Sequence, residues 1–366
     1  MTKSLPVLMY HYISKCEGSI SVHPEVFEDH CKALAENGWR GISLTEAEQY
    51  LLHGTPLPKK SVLFTFDDGY LDNYVYAWPI LKRYGHKGTI FAVTSRIEHH
   101  SALRPTIEDI LEGRARRETL PPVDTPFQEL AQGLCVRQDS FISWSEARAM
   151  ESSGVISIAA HSTTHNNVFA SPQFSSFIFP RSRGRTFYQV EGENLWGMPA
   201  FPAIPALVGR AFVPSANLLD TIRRHVPQDA ELAYEFARDE EKVEALRNRI
   251  SRLTADELGT YESDSERDHR MAKDFELCRN ALEKELGHTR QTFCWPWGTF
   301  SPEALSIAKQ HGFKVFFTTA QGANPPRRPE AVHRFKVKNK SAKWLHSRVK
   351  IYSNNLTARL YNLIRK

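Results

Sequence analysis

Thr65-Phe66-Asp67-Asp68-Gly69-Tyr70 follows the apolar run Ser61-Val62-Leu63-Phe64, and the reading of that junction decides the fold. A short apolar run without alternation fits a buried strand. Neighbouring strand residues point to opposite faces, so two adjacent aspartates cannot both sit inside a core. At the mouth of a barrel they can divide their roles, one binding a metal and the other facing a substrate. The bland alternative is an acidic turn, because Asp-Gly is a common turn dipeptide.

Upstream, residues 5–10 predict a first strand that runs into His11. This histidine either faces the same mouth as the Asp pair or is a hydrogen-bonded structural residue. Phe27, Cys31, Leu34 and Ala35 recur at helical spacing within residues 24–37, and Asn37-Gly38 supplies a stop. Residues 39–43 predict a second strand and residues 44–52 a second helix. Downstream, a helix over 73–84 closes at Gly85 and a buried strand follows over 89–93. Strands alternating with helices predict a parallel α/β fold. In parallel α/β barrels chemistry gathers at the C-terminal ends of strands, where Asp67 and Asp68 fall.

Residues 97–140 interrupt this rhythm with Pro105, Pro121, Pro122 and Pro126 and a basic run over 114–117. Order returns at Ser143, where the S-x-x-E spacing to Glu146 resembles a capping box. The apolar run 155–160 then leads into His161-Ser162-Thr163-Thr164-His165. Two histidines four apart share one face of a helical turn, so both rings can reach one metal. Such a pair is weak alone; here it follows a buried strand directly, as the Asp pair does. Two histidines and one carboxylate form an open metal set that leaves room for water and substrate.

Residues 170–290 are too long for a bare loop and predict a lid or subdomain. Their first half holds Phe174, Phe177, Phe179, Phe187, Tyr188, Trp196, Phe201 and Phe212, either as sugar-stacking platforms or as a local core. The second half is charged and helical in pattern. A strand then ends in the rigid turn Trp295-Pro296-Trp297-Gly298. A helix over 300–312 and strands over 313–318 and 331–337 complete the pattern. From Arg334 onward there are ten Lys/Arg and no Asp or Glu. Leu356, Leu360, Tyr361, Leu363 and Ile364 share a helical face there. The tail 341–366 is either a basic amphipathic helix on an anionic membrane or a helix docked on its own domain.

The 366 residues suffice for one large domain with insertions or for two domains. Hydrophobic and charged fractions of 41% and 24% are those of an ordinary globular protein. A net charge of +5 implies no nucleic-acid role. The five cysteines are scattered without C-x-x-C spacing, which suits reduced thiols. The opening apolar stretch is too short for a signal sequence and no window fits a membrane span. These features predict a cytoplasmic protein, peripheral on the inner membrane if the tail binds lipid.

The motifs together resemble those of the polysaccharide deacetylase family (family 4 carbohydrate esterases, the NodB homology domain). Residues 65–70 resemble its first motif, 161–165 its second and 295–298 its third, and the opening Pro6-Val7-Leu8-Met9-Tyr10-His11 is similar to the family's start. The resemblance covers roughly 5–96, 141–168 and 290–337. It implies a distorted (β/α) barrel of about seven strands over residues 1–340, with insertions at about 97–140 and 170–290. It also implies removal of N-acetyl, or sometimes formyl or O-acetyl, groups from glycans.

Carried over by position, Asp67 is the general base, and Asp68, His161 and His165 hold a divalent metal, typically zinc. The metal and a backbone N–H near Trp297 hold the oxyanion. Two departures stand out. The family's arginine two residues before the proline is Cys294 here, with Arg334 as its substitute. The late histidine that serves as general acid has His333 as its nearest counterpart. The expected protein is a metal-dependent deacetylase of an N-acetylated amino sugar in an oligosaccharide or lipid-linked precursor. The rivals are a deformylase or O-deacetylase using the same site, and a non-catalytic glycan-binding protein. A binding module has no need of Asp67, Asp68, His161 and His165 together.

Overall fold

The structure is a computed structural model that describes residues 4–181, 190–192, 194–288 and 290–364. Phe187, Tyr188, Arg365 and Lys366 lie outside the described residues. The central sheet is built from β1 (Val7–Tyr10), β2 (Arg40–Gly41), β3 (Ser61–Asp68), β4 (Gly88–Ala92), β5 (Ile156–Ala160), β6 (Thr292–Cys294), β7 (Val315–Phe317) and β8 (Phe335–Lys336). Seven of these run in the order β7-β6-β5-β4-β3-β1-β8, all parallel, and β2 pairs with the start of β3. The path curls until its two ends meet: Phe317 of β7 bridges Val332, three residues before β8. The expected seven-stranded distorted barrel is the observed architecture.

Side-chain alternation sorts the sheet into two cores. Phe64 and Phe66 face outward, into a large cluster with Phe27, Cys31 and Leu34 of the helix Pro24–Glu36 and Ala147 and Met150 of the helix Trp144–Ser152. Leu63 faces inward with Val7, Phe91, Ala159, Cys294 and Phe317, and the helix Leu44–His53 plugs this interior with Leu44, Ala47, Tyr50 and Leu51. Asp67 shares the inward parity of Leu63. The capping box at Ser143 is present in full, with Ser143 and Glu146 each receiving the other's backbone N–H.

Several boundaries differ from the sequence reading. The expected strand over 39–43 shrinks to Arg40–Gly41, and the helix over 73–84 begins with a π-helical turn, Asn73–Ala77, before Trp78–Arg83. The first insertion contains a hairpin, Phe127–Leu130 with Gly133–Val136. Within the second, Phe169, Phe177, Phe179, Phe201 and Phe212 form a separate buried core with Leu218, Ile222 and Ile250, and Phe174 and Trp196 pack against it. These described aromatics are a local core rather than stacking platforms. The helix Asp264–Leu286 belongs to the barrel instead of the lid: Met271, Phe275, Cys278 and Leu282 pack into the outer cluster.

The tail is two helices. Ala342–Tyr352 docks through Leu345, Val349 and Tyr352, while Asn355–Ile364 buries only Ala358. Among the described residues no helix is long and apolar enough to cross a membrane.

Candidate active site

The C-terminal ends of β1, β3, β5 and β6 converge on one cluster. β3 delivers Asp67 by ordinary alternation. Asp68 would point outward by the same rule, yet its φ of 75° turns the chain so that both carboxylates reach the mouth. Gly69 continues the turn at φ 80°, where an added Cβ would come within 3.0 Å of Ile97 Cδ1.

His161 follows β5. Its Nδ1 lies 2.8 Å from the carbonyl of Cys294, which fixes Nδ1–H as the donor and leaves Nε2 as a lone-pair ligand. The helical turn expected over 161–165 is not formed. Ser162 and His165 take left-handed φ values of 67° and 55°, and the His165 N–H donates to Ser162 Oγ at 2.9 Å. The two imidazoles therefore converge through a strained loop, with ring centroids 4.9 Å apart, rather than from one helix face. Backbone N–H groups of Thr94 and Ser95, after β4, donate to the carbonyls of Ser162 and Thr163 and pin that loop.

Asp68 Oδ1 lies 3.6 Å from Nε2 of His161 and 3.6 Å from Nε2 of His165, and donor atoms of the three residues fall within 4.8 Å of one another. All three are buried. Asp68 Oδ1 accepts no hydrogen bond. Burial lowers His161 below its ordinary value and takes His165 to about 3, so both rings stay neutral and can ligate. Burial pushes Asp68 up, but the neighbouring histidines and Arg96 outweigh it and hold the carboxyl below the usual range. A buried, neutral His pair around an unsatisfied carboxylate oxygen fits a divalent cation.

Asp67 lies beside this set. Arg334 Nη1 and Nη2 donate to its two carboxylate oxygens at 2.6 and 2.9 Å, a bidentate pair. Arg334 is only 1% exposed; its Nε donates to the Thr318 carbonyl at 2.8 Å and its guanidinium lies over Phe91. Burial raises Asp67, but Arg334, His161 and His11 together lower it below the ordinary carboxylate range. Cys294 Sγ is 4.0 Å from Asp67 Oδ1, so the position of the family's arginine holds a thiol while Arg334 arrives from the opposite end of the sheet path.

Trp297 also reaches the site. Its φ is 54°, its carbonyl accepts from Thr319 Oγ1, and its ring centroid lies 4.1 Å from that of His165. Gly298 allows this turn to press on β7's continuation: a Cβ there would sit 2.3 Å from the Thr319 nitrogen. His333 is placed elsewhere. Its N–H donates to Asn324 Oδ1 and its Nδ1 lies 3.2 Å from the Ala323 carbonyl, with no contact to the cluster. It immediately precedes Arg334 in the sequence, yet only Arg334 bonds Asp67. His11 does reach the site: its Nε2 is 3.8 Å from Asp67 Oδ2, and its side chain is partly exposed.

The sequence reading missed Asp274. From the helix Asp264–Leu286 its two carboxylate oxygens accept the Thr163 N–H at 3.1 and 3.2 Å, and its carbonyl accepts from Thr163 Oγ1 at 2.8 Å. An acid one residue before Phe275, on the buried stripe of an amphipathic helix, is the signal that could have found it.

Residues 54–179, which carry the Asp pair and the histidine motif, match the polysaccharide deacetylase family model. That matched stretch is similar to a polysaccharide deacetylase domain. A segment of 95 residues is 46% identical to YxkH of Bacillus subtilis, a protein itself named only provisionally as a polysaccharide deacetylase, covering 26% of this chain and 34% of that one. Another of 65 residues is 35% identical to the poly-β-1,6-N-acetyl-D-glucosamine N-deacetylase of Escherichia coli, covering 18% of this chain and 10% of that one. The matches thus span 34% and 10% of these curated relatives. In fold, the chain is similar to a de-N-acetylase from Aggregatibacter actinomycetemcomitans, with a TM-score of 0.56 and 20% identity over 92% of this chain and 96% of that one.

Proposed function

We propose that the chain hydrolyses the N-acetyl group of an amino sugar in a glycan, using a divalent cation, zinc first, held by Asp68, His161 and His165. Asp68 carries this reading. Its Oδ1 is buried without a hydrogen bond, equidistant at 3.6 Å from two imidazole nitrogens. A buried carboxylate oxygen left in that state is costly unless a cation completes it.

A bound divalent cation supplies a Lewis acid for the amide carbonyl and lowers the pKa of a water molecule. The chain's own groups provide the rest. Asp67, kept ionised by the Arg334 fork, accepts the proton of the attacking water. His11, across the mouth from it, hands a proton to the departing amine. The Trp297 ring, against His165, narrows the entrance and holds the imidazole plane. The Escherichia coli relative is named for N-deacetylation of poly-β-1,6-N-acetyl-D-glucosamine, which makes β-1,6-linked N-acetylglucosamine oligomers the first substrates to try.

The test is acetate release from such oligomers together with metal content. Activity should stop with chelator and return with zinc. Asp67→Asn should keep the metal and lose about 10²–10⁴-fold in turnover, the range for a general base. Asp68→Ala should lose the metal itself. Undiminished acetate release by Asp67→Asn would sink its assignment as base. Metal with no acetate release would move the reading to formyl or O-acetyl groups, and glycan binding without any turnover to a binding protein.

A further inference from the structure

The helix Asn355–Ile364 presents an apolar face to solvent. Leu356, Leu360, Leu363 and Ile364 are 66%, 50%, 71% and 84% exposed, at the i, i+4, i+7, i+8 spacing of one helical stripe. The orientation is fixed from the other side. Ala358 is buried, Tyr361 packs edge-on to Tyr352, and Asn362 bonds both the Gln321 carbonyl and the Tyr352 hydroxyl. The stripe is therefore built outward by hydrogen bonds on its reverse face.

Beside it lies a cavity of about 150 Å³ lined by Lys336, Lys338, Lys340 and Arg348, with Trp344 and Tyr352 as its aromatic wall. Among the described residues none of these four cations has a carboxylate partner, whereas Arg104, Arg267, Arg270 and Arg334 each have one. Lys336 donates only to Ser19 Oγ, at 3.3 Å, and burial with the charge of Lys338 holds it below the usual lysine range. Arg348 is stacked between Trp344 and Tyr361, its Nε buried without a hydrogen-bond acceptor. No Asp or Glu occurs after residue 334 to neutralise them. Four uncompensated cations converging on one cavity beside an exposed leucine stripe match the two layers of an anionic bilayer surface, phosphate above acyl chain.

We propose that this face docks the protein on anionic lipid bilayers, with the cavity taking lipid phosphate and the leucine stripe entering the acyl boundary. The inference stands apart from the proposed deacetylation, because none of its residues belongs to the Asp67–Asp68 cluster. It gives that reaction a setting: a membrane-bound chain meets glycans that are presented at a lipid surface.

The test is co-sedimentation of the full chain with vesicles of phosphatidylcholine alone and of phosphatidylcholine with phosphatidylglycerol, over a range of salt. Binding is expected only to the anionic vesicles and should weaken as salt rises. A lysine near an anionic surface contributes about fivefold in affinity, so Lys336→Gln/Lys338→Gln/Lys340→Gln should lose about a hundredfold. Leu360→Glu/Leu363→Glu should abolish binding, while acetate release from soluble oligomers stays unchanged in both variants. Equal binding to neutral vesicles would overturn the proposal, as would binding that survives both variants. So would a concentration-dependent dimer that dissolves in Leu360→Glu/Leu363→Glu, which would put a second copy on the stripe.

Discussion

Arg334 and Asp67 lie 267 positions apart in sequence, yet they make a bidentate ion pair with both partners buried. Removing one partner of a buried pair strands the other charge, at a cost of about 3–5 kcal/mol. Arg334→Met is therefore expected to lower the unfolding free energy by that amount, read from urea denaturation, even though methionine fills a similar volume. Arg334→Lys keeps the charge but loses the planar fork that holds both oxygens. It should retain metal and fold while losing kcat with little change in KM, because the base is no longer aimed. A KM effect alone would assign Arg334 to substrate binding instead. The motif residues Asp67, Asp68, His161 and His165 were legible because each sits directly after an apolar run. Arg334 could be named only as a substitute for the arginine that Cys294 replaces, and its pairing was not readable locally, because closure of the sheet path creates it. The backbone at Asp68, Ser162, His165 and Trp297 was not legible at all. Four of the seven described non-glycine residues with positive φ cluster here, and local sequence does not announce such strain.

The elements show how that strain is supported. The loop 161–165 bends against its own preferences, and the helix Asp264–Leu286 holds it through Asp274 and Thr163. Residues that orient metal ligands from behind typically carry 10–100-fold in affinity. Asp274→Ala should weaken zinc binding within that range while leaving the barrel folded, as read by calorimetric titration and circular dichroism. Unchanged zinc affinity would reduce Asp274 to a packing contact. The sequence reading assigned this helix to a lid because it follows about ninety residues of insertion. Its buried stripe of Met271, Phe275, Cys278 and Leu282 shows why that failed: helical periodicity reveals a buried face but not which core receives it. The same limit applies to the tail, where one basic amphipathic segment is two helices with opposite fates.

At the scale of the whole molecule, the first and last elements close the barrel on each other. The Ser4 N–H donates to the Ser353 carbonyl, the His23 N–H to Asn339 Oδ1, and His30 joins the helix Pro24–Glu36 to Lys340 just before the helix Ala342–Tyr352. The described part of the second insertion up to Leu258 packs around its own aromatic core, apart from this seam. Global stability therefore answers to the seam, and His30 makes the seam sensitive to pH. His30 is fully buried, its Nε2 lies 2.7 Å from the Lys340 carbonyl, and burial lowers its pKa to about 4. An unfolded histidine titrates near 6.5, so between those values only the unfolded chain takes up the proton. The contribution of His30 is whole above pH 6.5 and falls as the pH drops toward 4. One proton changes stability by about 1.4 kcal/mol per pH unit, so the loss approaches ~3 kcal/mol at pH 4. His30→Gln keeps a donor toward Lys340 but cannot titrate. Urea midpoints of the two proteins, measured from pH 8 to pH 4.5, should diverge below pH 6.5, with the native chain losing ground to the variant. Parallel curves would mean that His30 gains its proton in the folded state without resistance, and that the seam opens to water there.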